Sequence, residues 1–211
     1  MFEPVRPTVA SVVLTGALTG AAGQQLGDSI RIRILDQNGR GVRGITVNWS
    51  VSAGGGTVSP ATSNTDANGQ AATRWIVGGL IGQQKVTLTA GTVSQDVVAT
   101  VGPGPAASVS LLRDTATFTA QGDTLRLVVN QAADAFGNIV ASPVIGWSSA
   151  DTSVADVAAT GLVTSRSAGT TNITATVGGA TKSARIANHL NPSCGGRDDQ
   201  LRRHRCHGDS S

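Results

Sequence analysis

What this chain lacks narrows it before anything else does. Its 211 residues include two Cys, no Tyr, three Phe and three Trp, and only 14% are charged. Both cysteines (Cys194, Cys206) and all three histidines (His189, His204, His207) lie beyond Ala187, and Glu3 is the only glutamate. Residues 1–187 therefore offer no Ser/His/Asp or Cys/His nucleophile system. The carboxylates that remain there, among them Asp28, Asp36, Asp66, Asp114, Asp134 and Asp151, stand in polar or turn-like contexts, where a carboxylate usually caps backbone amides. No enzyme activity and no cofactor are expected. The net charge of +3 is small, the basic residues are scattered and the arginines are spread singly over strand faces, so a nucleic-acid surface is not indicated. No run of about 18 apolar residues occurs, so direct membrane insertion is not expected either. The start, Met1 to Pro7, shows no basic segment followed by an apolar one. The expectation is a mature or truncated piece of a longer exported protein, with the signal not visible.

What is present is the composition of β-structure. Glycine is plentiful at 27 residues, Val, Thr and Ala dominate, and no long stripe of period 3.6 appears. The organising stretch runs from Asp36 to Trp49, because its skeleton returns 98 residues later from Asp134 to Trp147. In both copies Gly follows Asp by three residues (Gly39, Gly137), Val by six (Val42, Val140) and Trp by thirteen. Asp-x-x-Gly is turn chemistry: the side chain bonds nearby amides and Gly takes the positive φ. After the first turn Ile45, Val47, Trp49 and Val51 alternate with polar residues, as a strand with one buried face requires. A spacing of 98 residues is about one small sandwich, so two related modules in tandem are predicted.

Before the first turn, Ile30, Ile32 and Ile34 alternate with Arg31 and Arg33, a half-buried strand with a solvated arginine face. A further turn, Asp66-Ala-Asn-Gly69, follows, and Trp75 and Val77 then share a face. Gly102-Pro-Gly-Pro105 supports no ladder and is the expected short, semi-stiff linker. Beyond it, Gly169 with Ile173 echoes Gly82 with Val86. From Trp to that Gly the first module spends more residues than the second, so the two are cousins rather than copies. The predicted cores centre on Trp49, Ile32 and Val47 in one module and on Trp147, Ile145 and Ile173 in the other.

Residues 8–101 resemble the group 1 bacterial Ig-like domain of invasin- and intimin-type surface proteins. The resemblance rests on Leu35-Asp36-x-x-Gly39-x-x-Val42-x-Gly44-x-x-Val47-x-Trp49, Thr65-Asp66-x-Asn68-Gly69-x-Ala71 and Gly82-x-x-x-Val86. Residues 106–187 resemble the group 2 domain through Trp147-Ser-Ser-x-Asp151-x-Ser153-Val154-Ala155-x-Val157, Gly161-Leu-Val163-Thr164 and Gly169-Thr-x-x-Ile173-Thr-Ala175. The resemblance implies an all-β chain of two tandem immunoglobulin-like Greek-key sandwiches, joined at 102–105. It also implies spacer, stalk or adhesive modules of a bacterial cell surface or secreted protein. The partners implied are neighbouring Ig-like modules of a longer chain and a host protein or glycan. With no cysteine before Cys194, neither sandwich can carry the inter-sheet disulfide of antibody domains. A binding module acting through sandwich-end loops is the alternative to the spacer.

From Asn188 on, the alternation stops, and 188–211 is expected to be a disordered basic tail, such as a shifted reading frame would give. Its cysteines and histidines fit neither a zinc pair nor a haem motif, and a tail disulfide is the favoured reading. The Asp36 and Asp66 turns lack the further carboxylates of a calcium loop and read as plain turns. Trp75, the one tryptophan outside the repeat and a candidate platform for a sugar, reads as core by its apolar alternation.

Overall fold

The computed structural model of this chain describes residues 11–14 and 18–190. The cysteines, His204, His207 and nearly all of the expected tail lie outside the described residues, so the zinc, haem and disulfide readings do too. The described residues form strands and turns, with no helix. The first half supplies β1 (Ser11–Leu14), β2 (Leu18–Ala21), β3 (Ile30–Leu35), β4 (Thr46–Ala53), β5 (Gly56–Ser59), β6 (Thr62–Asn64), β7 (Gln70–Val77), β8 (Gly82–Ala90) and β9 (Val93–Gly102). The second supplies β10 (Ala106–Leu111), β11 (Thr115–Phe118), β12 (Thr124–Arg126), β13 (Val129–Asp134), β14 (Gly146–Ser149), β15 (Ala155–Val157), β16 (Leu162–Ser165), β17 (Gly169–Val177) and β18 (Ala180–Asn188).

In the first half, strands in the order β1-β3-β7-β5 form one sheet and β2-β9-β8-β4-β6 the other. Strict alternation drives this, since a strand with one buried face must place every second side chain in the core. In β7, Ala71, Thr73, Trp75 and Val77 are buried while Gln70, Ala72, Arg74 and Ile76 are exposed. The core includes Ile30, Ile32, Ile34, Val47, Trp49, Trp75, Val86, Leu88 and Val97. Trp75 is fully buried and has no face to offer a sugar ring.

The second half holds β11-β18-β17-β14, β12-β16-β15 and the ladder β10-β13. Both halves close alike, an early strand lying parallel to the last one: β2 with β9, and β11 with β18. They differ in the middle, where the first has β5, β6 and β7 between β4 and β8 and the second only β15 and β16 between β14 and β17. That difference reaches the tryptophans. Trp49 is buried, and β6 on its flank supplies Ser63 Oγ, which accepts from Trp49 Nε1 at 2.9 Å. Trp147 sits on β14, an edge strand with no counterpart of β6, and is only half-buried at the margin of a core built on Phe118, Leu127, Ile173 and Ile186. Ile145, expected in that core, precedes β14, is half-buried and does not belong to the cluster. Ordered structure also runs past Ala187. Asn188 is buried in β18, its Nδ2 donating to Val154 O at 2.6 Å and Ser167 O at 3.0 Å, and the His189 amide donates to Phe118 O.

By compactness the chain divides into two units, and the division does not follow the repeat. One unit comprises residues up to Val109 together with Gln131–Val144 and Val177–Ala180, the other Ser110–Asn130, Ile145–Thr176 and residues from Thr181 on. The second aspartate turn thus belongs to the first unit.

Candidate functional site: the aspartate turns and the linker

Three turns of this chain share one hydrogen-bond pattern. Asp36 Oδ1 accepts from the Asn38 and Arg40 amides at 2.8 and 2.9 Å, and Asp66 Oδ1 from those of Asn68 and Gln70, both at 2.8 Å. Asp134 Oδ1 accepts from the Phe136 and Asn138 amides, both at 2.9 Å. In each turn the glycine amide also donates to the aspartate carbonyl, and Gly39, Gly69 and Gly137 have φ of 74°, 77° and 84°. A left-handed residue is required there, and glycine adopts it without the steric cost of a Cβ. In all three, Oδ1 accepts from two backbone amides, as a capping carboxylate does. Among the described residues no group of three or more His, Cys, Asp or Glu side chains is placed to hold a metal.

The second oxygen separates the third turn from the others. Asp134, 4% exposed, uses Oδ2 to accept from the Gly104 amide at 2.8 Å and from Asn138 Nδ2 at 2.9 Å. Asn138 Nδ2 also donates to Gly79 O at 2.7 Å. Phe136 lies over Gly23 and Gly79 so closely that a methyl group on either glycine would overlap its ring. The loop beneath is itself held by Gln84, fully buried, which accepts from the Gly78 amide and donates to Gly78 O and Leu80 O. A turn that in its first copy closes a hairpin here also holds the Gly104 amide, within the stretch expected as linker.

Its electrostatics follow from that. Burial alone would raise the Asp134 pKa, but the hydrogen bonds from the Asn138 side chain and the Gly104, Asn138 and Phe136 amides outweigh it and hold the carboxyl at about 2. Asp151 is lowered chiefly by the Ser153 hydroxyl, and Asp156 by Arg166 at 2.8 Å. These are caps and a surface pair, each already satisfied. Sequence reasoning found Asp134 and Gly137 as turn formers. It missed Phe136, Asn138 and Gln84, whose roles come from residues remote in the chain; the departure of Phe136 and Asn138 from Asn38 and Arg40 was the only signal.

Residues 12–102 match the model of the bacterial Ig-like domain (group 1), and residues 105–187 that of group 2. The chain is two bacterial Ig-like domains in tandem. Among solved structures, these Ig-like domains are similar to the Escherichia coli adhesin FdeC, with a TM-score of 0.61 at 17% identity over 84% of this chain and 63% of that one. A C-terminal fragment of intimin, solved with the intimin-binding domain of its translocated receptor, gives 0.45 at 18% identity over 87% and 65%. Invasin, described as a bacterial integrin-binding protein, gives 0.42 at 19% over 86% and 39%. The FdeC likeness supports the immunoglobulin-like fold alone, and this chain spans less than two thirds of each of these structures. No curated protein matches in sequence.

Proposed function

We propose that this Ig-like tandem is a non-catalytic spacer segment of a bacterial surface or secreted protein, flanked by further modules of a longer chain. The observation that carries this reading is the use of Asp134. The chain devotes a buried carboxylate, Asn138 and an aromatic ring to holding Gly104 of the linker and the Gly79 loop. A segment that transmits position or load benefits from a linker held by hydrogen bonds, whereas freely swivelling modules gain nothing from it. The absence of His and Cys from residues 1–187 supports a role without chemistry. Residues 8–101, 102–105 and 106–187 serve in this reading as module, linker and module.

Pulling the chain end to end in an optical or force microscope tests it. Two discrete unfolding events are expected, each releasing about 30 nm of contour, since each module holds about 85 residues at roughly 3.6 Å per residue. Smooth extension at low force, without discrete events, would contradict a load-bearing role.

A further inference from the structure

Two asparagines of the chain, Asn38 and Asn68, are followed by glycine, and both stand at the same place in an aspartate turn. Such a pair is chemically reactive, because glycine has no Cβ to keep its amide nitrogen away from the asparagine side chain. The third aspartate turn has Phe136 before Gly137, and its Asn138 is followed by the bulky Ile139, so that copy lacks the pair. In the other two, one kind of hydrogen bond holds the nitrogen that would attack. The Gly39 amide donates to Asp36 O and the Gly69 amide to Asp66 O, both at 3.0 Å. By sequence and by turn geometry the two pairs are equivalent.

Their surroundings are not. Gly69 is buried, and a methyl group on it would overlap Ile34 O. Gly41 lies so close to the Asn68–Gly69 peptide that a methyl group on Gly41 would overlap the Asn68 carbonyl. That carbonyl accepts from Arg33 Nε at 3.0 Å, and Gly69 O accepts from the Ile34 amide at 2.8 Å. For the glycine nitrogen to reach the asparagine side chain, the peptide group between them must rotate. At Asn68 the rotation breaks both of these bonds and drives backbone against backbone. The Asn38–Gly39 peptide sits at a hairpin tip where both residues are exposed, and a methyl group on Gly39 would meet nothing within 4 Å.

We propose that Asn38 is a site of spontaneous deamidation and that Asn68 is locked against it by its packing. The Gly39 nitrogen gives up its proton and bonds to Asn38 Cγ, the Cγ–Nδ2 bond breaks, and Nδ2 leaves as ammonia with that proton. The product is a five-membered succinimide. Water then adds to one of its two carbonyl carbons and breaks that carbon's bond to nitrogen, leaving aspartate or isoaspartate. Either product places a new negative charge beside Asp36. The isoaspartyl form also lengthens the backbone by one carbon between the Asn38 and Arg40 amides, which Asp36 Oδ1 accepts at 2.8 and 2.9 Å, and so loosens that cage.

The test is incubation of the whole chain at mildly alkaline pH, with peptide mapping by mass spectrometry and enzymatic detection of isoaspartate at successive times. Deamidation at Asn38 is expected to run at least about tenfold faster than at Asn68, the factor supplied by having to break one further hydrogen bond to a charged group before the ring can close. In denaturant, where both turns are lost, the two rates should become alike. Asn38→Ser should remove the isoaspartate at the first turn and leave the rate at Asn68 unchanged. Equal rates at the two sites in the folded chain, a faster reaction at Asn68, an Asn38 that stays intact in the folded chain, or a preference for Asn38 that persists in denaturant would each overturn the proposal.

Discussion

The Asp36 and Asp134 turns start from one sequence skeleton and end in different positions. Both form the same amide cage around Oδ1, and both place glycine at positive φ. The first has Asn38 and Arg40 where the second has Phe136 and Asn138, and it remains an exposed hairpin tip. The second buries its aspartate and ties the Gly104 amide. A turn motif therefore fixes local backbone geometry, while the residues between its fixed positions decide whether it does anything more. The tryptophans teach the same lesson: equal spacing from the turn, yet one is sealed by an extra strand and the other lies on an open edge.

The largest expected effects break the comparison at those tryptophans. Replacing Trp49 or Trp75 by Ala should destabilise its own module by about 3–5 kcal/mol, the range for truncating a fully buried aromatic ring. Trp147→Ala should cost roughly half as much, because less of its area leaves water on folding. Chemical denaturation of the three variants checks this, and equal losses at Trp49 and Trp147 would show that the edge is covered.

A subtler contrast lies in acid. The Asp134 pKa is depressed to about 2 from an ordinary 3.8, so its contribution is fully present above that ordinary value and is lost as pH falls through about 2. Following the Asp134 carboxyl resonance through an acid titration should give a midpoint near 2. A midpoint near 3.8 would mean that the amides of Gly104 and Asn138 do not reach it.

Much of this was legible in the sequence because it rests on local periodicity. The alternation of Ile30, Ile32 and Ile34 with Arg31 and Arg33, and the Asp-x-x-Gly spacing, each specify geometry within a few residues. Trp147 and Ile145 were harder, since their burial depends on whether another strand flanks β14, which no local pattern records. That Arg31, Arg33 and Arg74 share the outward face of β3 and β7 was hidden for the same reason. Arg74 joins Arg31 and Arg33 only through the pairing of β3 with β7, a register set by residues about 40 positions apart. The bond from Asp134 to Gly104 spans 30 residues and depends on an amide, which carries no side-chain signature at all.

The most direct test of the account is hydrogen exchange at the single amide of Gly104. In the parent chain this amide should be protected, because it donates to a buried carboxylate. In Asp134→Ala it should exchange at close to the rate of a free linker amide, while in Asp36→Ala the loss should be confined to Asn38 and Arg40 and Gly104 should keep its protection. A Gly104 amide that exchanges freely in the parent chain, or stays protected in Asp134→Ala, would contradict the claim that the second aspartate turn serves as the brace of the linker.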